Sequence, residues 1–366
     1  MKNHVLAAPI ALKAGMWQAD GRLYWHNESD LARVKQLFFA LYHNELPPPN
    51  LFHIRSTAWK LYLRWISRFR ILDGTARGPS VAFSSRGGTL KFFDFDNREV
   101  ITLISGEIAD KLRAARTLPL FDEFSTIDFT IDERLRANRD LCIKREPLVE
   151  APCMGMHLPS VQIETMKSIS ARYANYVSNY SRPPKPELFS QCFEEVSNCL
   201  NADARAQFLE MKCAYMDFIR NARTVPAHLD FNVGNFLVSE SPILIDIEDS
   251  GLCLPATYDA NNLLLNEIYQ GRPIHLLQAT LADPDGIGYV DLLRVALGNS
   301  GVAQLGVSLF VNFVLRESRY VSEALLKTWN PKRVPHSWEK FSQSIPGWPL
   351  VSHYTSTPRE PEILGS

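Results

Sequence analysis

Between residues 79 and 105 lie three short apolar-rich runs, PSVAFSS (79–85), TLKFFDF (89–95) and REVITLIS (98–105), separated by RGG and DN. Short runs of this kind joined by tight turns predict three β-strands. GEIADKLRAARTL then resumes helical spacing, and FSTIDFTID and DLCIKREPLVE supply two further strands. The expected order is strand, glycine turn, strand, strand, helix, strand, strand. On both sides the period changes to that of helices. ESDLARVKQLFFALYH and STAWKLYLRWISRFRIL flank the breaker PPPN at 47–50, so residues 1–76 read as a helical N-terminal extension. Beyond about 159, SVQIETMKSISARYANYVSNY, LFSQCFEEVSNCL, FLEMKCAYMDFIRNA, YDANNLLLNEIY, VDLLRVAL and LGVSLFVNFVLRESRYVSEALLKTW all read as helices. A proline-rich break, SRPPKPE, and one short strand pair, NFLV and ILIDIE, interrupt them. The fold class is α+β, with a sheet-rich segment at 77–150 and a helical one at 151–366.

The 366 residues are 46% hydrophobic, and 39 Lys and Arg stand against 40 Asp and Glu for a net charge of −1. That is enough chain for about two domains with a buried core. The neutral balance gives no general phosphate-tracking surface, so nucleic acid is not an expected partner. No obligate protein partner is evident. Six cysteines without a CxxC pair argue against zinc and against a disulfide framework. MKNHVLAAPIALKAGMW has no clear cleavage region, and no apolar run reaches the roughly 18–20 residues of a spanning helix. The expectation is a reducing, cytoplasmic location.

The chemistry concentrates in AHLDFNVGNFLVSESPILIDIEDSG, residues 227–251, which gathers Asp230, Asn235, Asp246, Glu248 and Asp249 around the short hairpin. Phosphoryl transfer needs a carboxylate to orient the attacking hydroxyl and oxygen ligands to hold Mg²⁺ on the phosphates. Those groups are present, and an oxygen-rich set suits a hard cation. A carboxylate-rich hairpin can also be a solvated turn, but Asp246 sits in apolar ILIDI, where an unpaired charge would be costly.

HLDFNVGN resembles the catalytic loop of the protein-kinase-like phosphotransferases, with an Asn five positions after the Asp. Its glycine before the Asn is similar to the aminoglycoside phosphotransferase and choline kinase branch. ILIDIEDSG resembles that branch's metal-binding strand end, and LPATYDANNLL its Tyr-Asp at the start of a helix. The resemblance implies a bilobal kinase-like fold with a small β-rich N-lobe and a larger helical C-lobe. It implies ATP and Mg²⁺ as cofactors, Asp230 as the catalytic aspartate, and His228 and Asp259 as supports of its loop. Asn235 and Asp246 would bind the metal, and Glu248 would contact a second one. SSRGGT (84–89) would cover the nucleotide through Ser85, Gly87 and Gly88, although an Arg-Gly-Gly turn is more often only a turn. Adenine would bond to the backbone near Pro147 to Glu150.

The chain departs from the pattern at its third strand, where Thr102 stands in place of the lysine that would bind the phosphates. Lys91, Arg98, Lys111 and Arg113 are the substitutes to consider, with Glu107 as their acidic partner. The ordinary reading of each is a solvated surface charge. Residues 57–72, if helical, would set aromatics opposite Lys60, Arg64 and Arg68, which suits packing on the small lobe or a peripheral membrane or glycan contact. The expected activity is transfer of a γ-phosphoryl group to a hydroxyl of a small molecule or sugar acceptor. Two alternatives stay open, a pseudokinase serving as a nucleotide-binding or scaffolding module, motivated by Thr102, and a kinase-fold enzyme that modifies a protein.

Overall fold

The computed structural model describes residues 10–20, 23–27, 69–84, 89–133, 135, 140–270, 274–297, 305–325 and 327–345. The fold is α+β. The chain divides into two compact units, one of Met1–Arg116, Ser125–His157 and Phe236–Glu248, the other of Thr117–Phe124, Leu158–Asn235 and Asp249–Ser366.

The first unit is built on a sheet. Its strands are β1 (Gly15–Asp20), β2 (Leu23–His26), β3 (Phe69–Ile71), β4 (Val81–Ser84), β5 (Leu90–Asp94), β6 (Glu99–Ser105), β7 (Ser125–Thr126), β8 (Thr130–Asp132) and β9 (Leu141–Pro147). Eight of them pair antiparallel in the order β3-β1-β2-β4-β5-β6-β9-β8. Residues directly opposite one another share a face, so the register fixes two apolar layers. Ala82, Phe92 and Ile101 align on one face, while Val81, Phe93 and Val100 align on the other. Both faces are buried, which is why these strands read as nearly unbroken apolar runs.

Helix α1 (Gly106–Ala115) follows β6. The Ser105 hydroxyl accepts from the Ile108 N–H, and residues at three-residue spacing, Gly106, Ala109, Leu112 and Ala115, face inward. The same unit holds β11 (Phe236–Leu237) and β12 (Ile243–Leu244), with β12 also parallel to β7.

The helical expectation for the first 76 residues is corrected where the chain is described. β1, β2 and β3 are strands that extend the sheet beyond β4. The Asp20-Gly21 dipeptide between two aromatic-bearing runs is a hairpin signal that the helical reading passed over. The amphipathic stretch 57–72 lies outside the described residues up to 68, and its end is β3 rather than helix.

The second unit is helical, with α2 (Leu120–Glu123), α3 (Pro159–Tyr180), α4 (Pro186–Ser197), α5 (Ala202–Glu210), α6 (Lys212–Asn221), α7 (Tyr258–Gln270), α8 (His275–Ala282), α9 (Tyr289–Leu297), α10 (Leu305–Glu317), α11 (Arg319–Ala324) and α12 (Val334–Ser344). Residues 305–315 of α10 are buried on every side, so this helix is the axis of the unit. Phe310 meets Phe208 at 5.0 Å and Tyr215, Phe193 and Trp338 at 6.1–6.2 Å between ring centres, drawing α4, α5, α6 and α12 onto it. Strands β10 (Thr224–Pro226) and β13 (Cys253–Pro255) pair antiparallel in this unit and frame the loop that follows β10. No helix among the described residues is long and apolar enough to cross a membrane.

Candidate active site

In the second unit the 227–235 loop is held from behind by α7. Asp259, in its first turn, accepts the His228 N–H on Oδ2 at 2.7 Å and the Leu229 N–H on Oδ1 at 3.1 Å. The Tyr173 hydroxyl also donates to Oδ2, at 3.1 Å. Three positions on, Asn262 donates from Nδ2 toward the carbonyls of Leu229 and Phe231, at 3.2 and 3.3 Å. Residues three apart share a helix face, so one carboxylate and one amide satisfy both the donors and the acceptors of the buried loop backbone. Between them Leu229 is held at φ +69°, a left-handed conformation costing a non-glycine residue about 1–3 kcal/mol.

That clamp presents Asp230 to solvent with both carboxylate oxygens fixed. Asn232 Nδ2 donates to Oδ1 at 3.0 Å and Asn235 Nδ2 to Oδ2 at 2.8 Å. Each amide also bonds the Asp230 carbonyl, and Asn232 Oδ1 accepts from the Gly234 N–H at 2.8 Å. A buried pair of amides therefore orients an exposed carboxylate. With its nitrogen committed to Asp230, the Asn235 side chain has its carbonyl oxygen without a hydrogen-bond partner among the described residues.

His228 is fully buried, its ring edge-on to Phe231 at 5.9 Å, and its backbone N–H is the group Asp259 binds. Its position makes it part of the loop's support. Burial pushes the Asp259 carboxyl above its ordinary value, against the His228 ring and the donors from His228, Leu229 and Tyr173.

In the first unit Lys91 Nζ lies 2.8 Å from Asp246 Oδ1. The register explains how. Lys91 on β5 stands directly opposite Thr102 on β6, and Thr102 directly opposite Lys144 on β9. The three project from one face in a row, so a lysine occupies the positions on either side of the threonine. Thr102 is buried, and its hydroxyl has no hydrogen-bond partner among the described residues. Lys144 is buried too and pairs with Glu146 at 2.5 Å. Asp246 follows β12 at φ +56°, a second left-handed non-glycine position, and shares a small recess with Lys144, Glu146 and Phe129.

Glu107 sits in the first turn of α1, exposed and without an ion pair among the described residues, so the pairing expected of it is not present there. Glu146 is the acidic partner of the buried lysine instead. Arg113 pairs with Asp110 and Glu133 on the surface, and Arg98 is an exposed turn residue at φ +52°. Glu150 is exposed after β9, and Glu248 falls in the turn Ile247–Asp249. Ser85, Gly87 and Gly88 lie outside the described residues. Among those described, no group of three or more His, Cys, Asp and Glu could hold a metal. Sequence reasoning missed Asn232, Asn262 and Lys144. Asn262 carried one signal, its three-residue spacing from Asp259.

No family model matches the chain, and no curated protein matches it. Solved structures do. A thermostable mutant of aminoglycoside phosphotransferase APH(4)-Ia, apo form, is 10% identical with a TM-score of 0.46, over 73% of this chain and 94% of that one. An aminoglycoside phosphotransferase from Alicyclobacillus acidocaldarius is 14% identical with a TM-score of 0.40, over 71% and 86%. A glucosamine kinase is 11% identical with a TM-score of 0.41, over 69% and 74%.

Proposed function

We propose that the protein transfers the γ-phosphoryl group of ATP to a hydroxyl of a small molecule or sugar, with Mg²⁺ as the required cation. The observation that supports this best is the Asp230 carboxylate, exposed yet fixed through both oxygens on a loop whose backbone is clamped on donors and acceptors alike. Asp230 takes the proton of the acceptor hydroxyl while that oxygen bonds to the γ-phosphorus. The bond from the γ-phosphorus to the bridging oxygen breaks, and ADP leaves with the electron pair. Holding the carboxylate in one orientation supplies positioning, the main work left to a protein in this reaction.

Asn235, in the second unit, and Asp246, in the first, are assigned as metal ligands from their places in the sequence pattern; a carbonyl oxygen and a carboxylate are ligand types that Mg²⁺ takes alongside phosphates and water. When bound, the ion would neutralise phosphate charge. Lys91 takes the place of the missing strand lysine, since it rises beside Thr102 on the same face and its ammonium meets Asp246. Ser85, Gly87 and Gly88 would cover the nucleotide, and Glu248 would serve a second cation.

Asp230→Asn tests the assignment. Turnover should fall by about 10²–10⁴-fold, while ATP affinity measured by calorimetry stays within a factor of about two. Retained turnover would show that another group takes the proton. Metal-independent nucleotide binding without turnover in the wild type would instead favour the scaffolding reading.

A further inference from the structure

A cavity of about 140 Å³ opens beside Asp230, entirely within the second unit, and its charges bear on the acceptor. Its charged lining is Asp230, Glu317, Arg316, Lys327 and Arg333. Glu317 is committed, because its side chain is 4% exposed and accepts from Arg333 Nη2 at 2.9 Å. Arg316 is not balanced in this way. Its guanidinium lies 3.7 Å from the centre of the Tyr269 ring and donates from Nη1 to Asn262 Oδ1 at 2.7 Å, a neutral partner. Neither Arg316 nor the exposed Lys327 has a carboxylate partner among the described residues. Three cations therefore face two carboxylates, and one of the two is the proposed base.

The position of Arg316 is set by the catalytic loop itself. Asn262, which receives the guanidinium, is the residue that donates to the carbonyls of Leu229 and Phe231 on either side of Asp230. A planar guanidinium stacked on an aromatic ring keeps its remaining N–H groups in a fixed fork, and such a fork suits a carboxylate or phosphate. An ammonium-bearing acceptor would meet two uncompensated like charges in the same space.

We propose that the acceptor is a hydroxylated anion, a polyol or sugar bearing a carboxylate or phosphate ester, with Arg316 and Lys327 receiving the charge and Asp230 the reacting hydroxyl. The step is the transfer already written and so rests on the phosphotransferase reading, but the charge preference is a binding property that can be measured without nucleotide.

The test is calorimetric titration of the full chain, without ATP, with D-glucuronate, D-glucose 6-phosphate, D-glucose and D-glucosamine. One of the two anions should bind at least tenfold more tightly than glucose, and glucosamine most weakly; which anion wins distinguishes carboxylate from phosphate. Arg316→Gln should reduce the preference at least tenfold. Lys327→Glu, an exposed change that does not threaten folding, should reduce it several-fold. Equal binding of all four, binding of none, or tighter binding of glucosamine overturns the inference, as does an undiminished preference in both variants. Titration with Mg·ATP in parallel reports on the phosphotransferase reading separately, since its failure leaves the measured charge preference standing or fallen on its own.

Discussion

Asp259→Asn isolates the clamp behind the 227–235 loop. The wild-type carboxylate receives two donors on Oδ2 and one, the Leu229 N–H, on Oδ1. An isosteric amide keeps its oxygen on the two-donor side and turns its NH₂ toward Leu229, which leaves one buried N–H facing another donor. Losing that bond and stranding the N–H costs about 1–3 kcal/mol, partly offset because a buried charge is removed. The expected net loss in urea denaturation at pH 7 is about 1–2 kcal/mol. Activity should suffer more than stability. Leu229 is held left-handed by these bonds, and its relaxation displaces Asp230, so Mg·ATP turnover followed as ADP release should fall about 10-fold to 10²-fold.

The pH dependence supplies an internal check. Burial raises the folded-state value of the Asp259 carboxyl, so the native chain binds a proton the unfolded chain has released. Wild-type stability from this group is therefore greatest below the ordinary carboxyl range and declines as pH rises to the raised folded value. The variant lacks this dependence, so the advantage of the wild type over Asp259→Asn should grow on acidification from pH 7 toward pH 4. Unchanged turnover, or an advantage that shrinks on acidification, would refute the reasoning.

Thr102→Val removes a buried hydroxyl without a partner among the described residues and should stabilise the fold by up to about 1 kcal/mol in chemical denaturation, leaving Mg·ATP affinity unchanged. A large loss of affinity would mean that position 102, and not Lys91, meets the phosphates. Burial pushes the Cys192 thiol up to about 11, so at pH 8 a maleimide should modify exposed Cys213 first, with Cys192 unmodified until the chain unfolds.

The strands β4, β5, β6 and β9 and helix α1 were legible because short apolar runs between turn residues, and the switch to helical spacing, are local properties of the chain. Two long helical runs were read as single helices where the structure has two. FLEMKCAYMDFIRNA breaks at Met211 between α5 and α6, and the run after residue 305 breaks at Ser318, whose hydroxyl caps α11. β1 and β2 were lost because they are short runs, GMWQAD and LYWH, set in a stretch whose later part has helical spacing, and the Asp20-Gly21 turn signal between them was not weighed. Asp230, Asn235 and Asp246 stood out through their grouping in one short segment, Asp259 through the resemblance of its Tyr-Asp pair at a helix start, and Lys91 was named only as one of several cations. Register singled it out, since only pairing shows that it rises beside Thr102. Asn232 and Lys144 carry no sequence mark, because the bonds that give them meaning form in the folded chain.

Acidic residues crowd the segment 227–251 along the chain. In the structure Asp259 turns inward to the backbone, Asp246 meets Lys91 and Glu317 meets Arg333, and Arg316 is left without a carboxylate partner among the described residues. Counting carboxylates along a chain overstates the negative charge a ligand would meet once ion pairs form.

Calorimetric titration of ATP with and without Mg²⁺, on wild type and Asp246→Ala, bears most directly on the proposal of a metal-nucleotide site. The wild type should bind ATP at least tenfold more tightly with Mg²⁺, and the variant should lose that gain. Equal affinity with and without the cation in the wild type, or a full Mg²⁺ effect in Asp246→Ala, would contradict it.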